Sequence, residues 1–250
     1  MEQKDFFIET FYKEAKKLNF EVLGLYTSSH DILSLGSDSK LIGRIFEIIT
    51  KGMLERLAKI MGWGFEESDS QTSYPDYTFN MPSGKRIAVD IKTTYRSYKE
   101  DGEVAPFGFT LGSFASFLRN GVKNIAHPYG EYTKHYVIGF VYDRVEEAKA
   151  GQLITDGKSL YLPYKNVEYF MQEKYKIAGD KPGSGNTENI GTIKSSDISD
   201  FINGNGIFAK TGNAEFEEYW RGYPKYRATV RNYTSYAEFK QYKLLKSHGK

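Results

Sequence analysis

Residues 73–94, SYPDYTFNMPSGKRIAVDIKTT, leave the chain little choice of local fold. Proline and glycine in MPSGK mark a tight turn, and on both sides aromatic or β-branched residues alternate with other types. That is the pattern of a β-hairpin. Successive side chains of a strand point to opposite faces, so Ile87, Val89 and Ile91 face one way and Ala88, Asp90 and Lys92 the other. On the first arm Asp76 and Thr78 share a face, and Tyr77 and Phe79 take its reverse. With the turn centred on Ser83, Asp76 lies across from Asp90, their Cβ atoms about 4.5–5.5 Å apart. A register slip of one residue would part them.

Two carboxylates at that spacing repel by roughly 3 kcal/mol at an effective dielectric of about 20. Such an arrangement needs a shared proton, a cationic side chain or a metal ion. Lys92, on the same face, supplies part of the compensation. Mg2+, which binds through one or two carboxylates plus water and phosphate oxygens, would supply the rest. A lone Asp-x-Lys is usually an ion pair on a solvated sheet face. The preceding Pro75-Asp76 and the matched arms favour a metal site over that reading.

Around the hairpin the spacing of apolar residues predicts mixed α and β structure. Residues 4–18 read as an amphipathic helix, and 19–35 as a two-stranded ribbon. A long helix follows, with Ser37 or Asp38 as N-cap, Leu41, Ile45, Ile48, Ile49, Leu54 and Leu57 at helical spacing, and Gly62 as terminator. A shorter helix is expected near 112–120 and a strand at 135–142, then a polar excursion over 143–162 and strand character from 166 to 180. The end, from about 213, reads as helical and surface-exposed. No repeat or linker divides the chain, so residues 1–250 are expected to form one domain around a central sheet.

The 250 residues suffice for a full core, and 40% hydrophobic with 26% charged residues is the composition of a globular protein. With no cysteine, disulfides, thiolate metal sites and cysteine nucleophiles are excluded. The first thirty residues hold no apolar core of signal-peptide length, and no run approaches the roughly 18 apolar residues of a membrane span. A cytoplasmic protein is expected. The net charge of +2 is unevenly spread: residues 219–250 hold eight basic residues against Glu238, a net +7 that leaves −5 for the rest. That basic tail, interleaved with Tyr223, Tyr226, Tyr233, Tyr236 and Tyr242, suits either a phosphate backbone or a solvated helical surface. The four histidines show no ligand spacing and read as packing or surface residues. GQLITDGKS at 151–159 is one residue too long for a phosphate-binding loop, which argues against ATP use.

Pro75-Asp76 … Asp90-x-Lys92 resembles the signature of the PD-(D/E)-x-K nucleases. Further segments resemble type II restriction endonucleases of that superfamily: LGSD at 35–38, IFE at 45–47, YPDYT at 74–78, KRIAVDIKTTY at 85–95, FTLG at 109–112, SFLRN at 116–120, IGFVY at 138–142 and AGDKPGSGNTENIG at 178–191. The resemblance spans about residues 30–223. It implies an α/β (α+β mixed) restriction-endonuclease-like core, a central mixed sheet flanked by helices. Within it, about 1–36 would serve dimerisation, about 37–142 catalysis, and about 163–250 DNA recognition with the basic tail. It implies that Asp76 and Asp90 bind Mg2+, that Lys92 stabilises or helps form the attacking hydroxide, and that Glu47 assists metal binding. By its residues alone Glu47 would be an i,i+4 partner of Lys51.

GSGNT at 183–187 lacks the third glycine of a dinucleotide fingerprint, where Glu188 stands. A flexible turn is the plain reading. The alternative is direct base readout: Gly183 and Gly185 let the backbone approach base edges, Asn186 can pair with adenine N6 and N7, and the Thr187 methyl can meet a thymine methyl. The resemblance assigns Gly183, Ser184, Gly185, Asn186 and Thr187 to a major-groove recognition loop reading GATATC, with Gln71, Thr94 and Lys123 as further DNA contacts. Thr72 and Gly121 depart from the pattern and put flanking contacts in doubt. The expected protein is a homodimeric endonuclease on double-stranded DNA that leaves blunt ends with 5′-phosphates, matched by a cognate methyltransferase. Two rivals remain at this level: a repair or junction-resolving nuclease that reads DNA structure, and a non-catalytic DNA-binding protein.

Overall fold

A computed structural model describes residues 5–70, 72–153, 162–183, 188–225 and 227–248. Helix α1 (Phe6–Ala15) begins at Asp5, whose carboxylate accepts from the Phe7 N–H, and buries Phe7 and Phe11. The expected ribbon is present as β1 (Gly24–Tyr26) and β2 (Ile32–Ser34). The long helix is α2 (Ser39–Met61): Asp38 caps it by accepting from the N–H groups of Lys40 and Leu41, and Gly62 ends it with a left-handed φ of 68°. Its inward face carries Ile42, Ile45, Phe46, Met53, Leu54 and Leu57. Ile48, expected on the apolar stripe, is 61% exposed because it lies on the reverse face of the helix.

Strands β3 (Gly64–Glu67), β4 (Tyr77–Asn80), β5 (Arg86–Tyr95), β7 (Tyr132–Arg144) and β8 (Tyr164–Glu173) form one sheet in the order β3-β4-β5-β7-β8. Every neighbouring pair is antiparallel except β5 and β7, which are parallel. The hairpin register is the expected one, with Tyr77 opposite Val89, Thr78 opposite Ala88 and Phe79 opposite Ile87. The alternation sorts its residues cleanly. Ile87, Val89, Ile91, Tyr77 and Phe79 join the core beneath α1 and α2, where Phe46 stacks on Phe140 with centroids 4.8 Å apart. Ala88, Val137 and Val141 join the core on the other face. Each large side chain so buried contributes roughly 1.5–3 kcal/mol.

That second face is covered by a smaller sheet, order β6-β10-β9, made of β6 (Thr110–Ser113), β10 (Asn189–Thr192) and β9 (Ala178–Pro182). The helix expected near 112–120 is instead the end of β6 followed by a π-helical turn over Phe114–Leu118, kinked at Ser116. The strand character expected through 180 is interrupted by one helical turn, α3 (Lys174–Ile177), which redirects the chain from β8 into β9. Strands β9 and β10 approach so closely that a Cβ on Gly191 would stand 2.6 Å from the Lys181 carbonyl oxygen. Of the polar excursion, residues 145–153 are anchored to the ribbon, with the Ser34 N–H donating to the Gln152 carbonyl and Leu33 bridging to Leu153. Residues 154–161 lie outside the described residues.

A short helix, α4 (Ser199–Ile202), precedes the C-terminal part, which is helical in α5 (Asn213–Gly222) and α6 (Tyr236–His248); α6 is largely exposed as expected, whereas α5 is packed into the core. Phe216, Tyr219, Trp220, Tyr223, Tyr233 and Phe239 are buried in the second core. The tyrosines that could have stacked on a nucleic acid are thus largely consumed by packing: Tyr223 and Tyr233 are buried, and the Tyr236 hydroxyl donates to Glu215. Tyr226 lies outside the described residues. No helix among the described residues is long and apolar enough to cross a membrane.

Candidate active site

The hairpin register carries Asp76, one residue ahead of β4, to the level of Asp90 on β5. Asp76 Oδ2 accepts the Ile91 N–H at 2.6 Å, which ties the first carboxylate to the strand that bears the second. Asp90 is 3% exposed. The Lys92 Nζ stands 2.7 Å from Asp90 Oδ2, an ion pair whose angle is poor for a hydrogen bond, and donates to the Ile91 carbonyl at 3.1 Å. The three groups expected to converge therefore do so, on the face and in the order that alternation gives.

Their electrostatics are those of a strained cluster. Burial, then the charge of Asp90, raises the Asp76 carboxyl to about 7, against the opposing pull of Lys92 and the Ile91 N–H. Burial works against charge on Lys92, but Asp90 and Asp76 beside it prevail and raise its pKa above the usual lysine value. At neutral pH Lys92 is an ammonium.

A cavity of about 240 Å³ opens over the cluster, lined by Asp76, Asp90 and Lys92 together with Thr72, Ser113, Asn124 and Asn189. Ser113 and Asn189 are register partners on β6 and β10, so the smaller sheet supplies part of the cavity wall. Asp76 also lines a wider groove of about 730 Å³ beside α2, where Arg44, Glu47 and Thr94 lie. Glu47 is not paired with Lys51 as its spacing suggested. Lys51 is drawn off to Glu67 on β3, and Glu47 takes Arg44, one helical turn earlier, at 2.7 Å. Held there, it does not complete a metal cage: no group of three or more His, Cys, Asp or Glu side chains among the described residues is placed to hold a metal ion.

Of the expected DNA contacts, Gly183 directly follows β9, its N–H donating to the Asn189 carbonyl at 3.0 Å, and Lys123 is exposed beside Asn124. Gln71, Ser184, Asn186, Thr187 and Gly185 lie outside the described residues. Sequence reasoning missed Ser113, Asn124 and Asn189, which carry no motif of their own. It also missed Lys174, a buried lysine at the start of α3 whose ammonium packs on the Tyr74 and Phe117 rings.

The family model for the restriction endonuclease EcoRV matches residues 16–246. The chain belongs to the EcoRV restriction endonuclease family. Among curated proteins, the type II restriction enzyme EcoRV of Escherichia coli is 39% identical over 242 residues, 94% of this chain and 95% of the relative. Among solved structures, the NlaIV restriction endonuclease is similar at a TM-score of 0.42 and 12% identity, over 86% of this chain and 85% of that one. Membership of the EcoRV family agrees with the expected fold class and makes the chain a type II restriction nuclease.

Proposed function

We propose that this chain is a Mg2+-dependent deoxyribonuclease that works in the cytoplasm as a homodimer and cuts both strands of GATATC at the centre. The products would be blunt ends with 5′-phosphates and 3′-hydroxyls. The observation that carries the reading is the Asp76–Asp90–Lys92 cluster, two carboxylates kept together at an electrostatic cost with an ammonium 2.7 Å from one of them. That arrangement suits a reaction in which charge moves on a phosphate.

The donor set fits Mg2+, which favours hard oxygens and takes one or two carboxylates with the remaining positions left to water and phosphate. Asp76 and Asp90 would hold it, with Glu47 assisting from the groove once it parts from Arg44. Bound there, the ion would polarise the scissile phosphate and lower the pKa of a coordinated water. The raised pKa of Lys92 supports a role as a cation. As an ammonium it offers charge and protons but no lone pair, so it favours the hydroxide and offsets charge gathering on the phosphate oxygens in the transition state.

The target rests on GSGNT. Gly183, Ser184 and Gly185 would bring the backbone to the base edges, Asn186 would read adenine through N6 and N7, and Thr187 would meet a thymine methyl. Gln71, Thr94 and Lys123 would contact the DNA around the site. A palindrome suits a two-fold protein, each subunit cutting one strand. The ribbon offers an apolar surface for that contact: Leu23, Leu25 and Tyr26 are 44%, 53% and 69% exposed. Sedimentation of the free protein should give the mass of a dimer; a monomer that still cuts both strands in one encounter would reject this arrangement. A cognate methyltransferase is expected to protect the host's own sites.

The activity is tested on a plasmid with a single GATATC. Linear product is expected with Mg2+ and none with EDTA, and sequencing the ends should give a blunt cut between T and A at the centre. Staggered ends or cutting elsewhere would reject the target. Intact plasmid with every divalent ion tried would reject the nuclease.

A further inference from the structure

Lys174 breaks the rule that a lysine reaches water. It is 1% exposed, and its Nζ finds no hydrogen-bond acceptor among the described residues. Stripping an ammonium of water costs several kcal/mol when nothing replaces the solvent. What the ammonium does meet is aromatic: it lies 3.9 Å from the centroid of the Tyr74 ring and 4.9 Å from that of Phe117. Those two rings stack on each other with centroids 4.1 Å apart and 10° between their planes. A cation over such faces recovers about 2 kcal/mol or more when desolvated, which offsets only part of that cost.

A further part comes from the active site. Asp90, Val137 and Gln172 are register partners across β5, β7 and β8, and Lys174 follows two residues after Gln172. The ammonium lies against Tyr74 and Phe117, which pack with Ala88 and Val137 in the core on the carboxylate face of the sheet. Burial drives its pKa down to about 7; Asp90 and Asp76 hold it up against that burial and against the like charge of Lys92. The other acid in reach, Glu217, is already paired with Arg221 at 2.8 Å. His135, a further titratable neighbour, is held neutral by burial and by Lys174 itself, and its Nδ1 meets the Tyr74 hydroxyl at 2.8 Å.

Tyr74 joins these facts to catalysis. Its N–H donates to the Asn124 carbonyl, its carbonyl accepts from Ala126, its hydroxyl meets His135, and its ring is capped by Lys174. Two residues later comes Asp76. We propose that Lys174 is a positioning residue of the nuclease centre: its buried side chain clamps the Tyr74–Phe117 pair and so fixes the approach of the chain to Asp76. The inference rests on the assignment of Asp76 and Asp90 made above. It gives a cost to the fold and a benefit to the site, as buried charges at functional centres do.

Lys174→Met keeps an unbranched chain against the rings and removes the charge. With DNA and Mg2+ saturating, the single-turnover cleavage rate should fall about 10–100-fold, the range found when a group behind a metal ligand is lost. DNA affinity with Ca2+ in place of Mg2+ should be little changed, and the melting temperature should stay the same or rise. Lys174→Arg, whose guanidinium also stacks on aromatic faces, should regain a measurable part of the rate. A Lys174→Met protein that cleaves like the parent would overturn the inference. So would one that melts earlier yet cleaves normally where folded, since that marks a purely structural lysine. An inactive parent would instead strike at the nuclease reading, which the plasmid digest isolates.

Discussion

Asp76→Asn is expected to abolish cleavage and, in the same protein, to raise the melting temperature of the metal-free form. Asparagine keeps the shape of the side chain, and its carbonyl oxygen can still accept the Ile91 N–H that Asp76 Oδ2 takes at 2.6 Å. What disappears is one of two negative charges that burial and mutual repulsion hold in tension. The loss of activity should be at least about 10³-fold at saturating Mg2+, since both the ion and the transition-state charge depend on that oxygen.

The stability effect has a definite sign. The folded-state pKa of Asp76 is raised from 3.8 to about 7. Between those values the native state binds more protons than the unfolded chain, so the stability Asp76 contributes is fully present below about pH 4 and lost as pH rises to about 7. In EDTA the parent should therefore melt progressively earlier as pH climbs through that window, and Asp76→Asn should flatten this component of the slope. At pH 8 the variant should melt higher by roughly 4–8 °C, corresponding to on the order of 2 kcal/mol for a chain of this size. Calorimetry at four or five pH values checks it. A variant that melts below the parent at pH 8 would mean that the carboxylates do not oppose one another.

The parts of this site that were legible in the sequence are those that rest on a period of two. Asp76 and Asp90 could be placed opposite each other because MPSGK fixes the register and because Ile87, Val89 and Ile91 have only one face on which to be buried. Helix α2 was legible for a similar reason, with Asp38 and Gly62 marking its ends chemically. Ile48 was misjudged because an apolar residue beside an apolar stripe looks like part of it until the packing partner is known.

The smaller sheet was harder. Strands β6, β9 and β10 are four or five residues long, and glycine interrupts them, so neither periodicity nor propensity accumulates. Their reason for pairing is close backbone approach at Gly191, which is a property of the fold and not of the segment. The aromatic tail shows the converse. Tyr223 and Tyr233 have the composition of a binding surface and the environment of a core, and only tertiary contact separates the two. Lys174 combines both difficulties: it opens a single helical turn that alternation along β8 does not reach, and a lysine contradicts the expectation of burial.

Lys92→Met should give the opposite stability response to Asp76→Asn, and that opposition separates a charge cluster from three unrelated polar residues. Lys92 has a raised folded-state pKa, so the stability it contributes is fully present at neutral pH and is lost only as pH rises through that value. Removing it leaves Asp90 and Asp76 without their nearest cation, the one 2.7 Å from Asp90 Oδ2. The metal-free variant should melt lower at pH 7 by a few degrees, about 1 kcal/mol for a protein of this length. Cleavage should fall about 10²–10³-fold, the effect of losing one preorganised donor to the developing charge, while DNA affinity with Ca2+ stays close to that of the parent. The double variant Asp76→Asn/Lys92→Met supplies the decisive comparison. If the ammonium acts by offsetting the carboxylates, it should matter less once one of them is neutral, and the two stability changes should fail to add by more than the roughly 0.5 kcal/mol expected of independent sites. Strict additivity would show that Lys92 and Asp76 do not sense each other, and the cluster would then lose the physical basis on which its catalytic role stands.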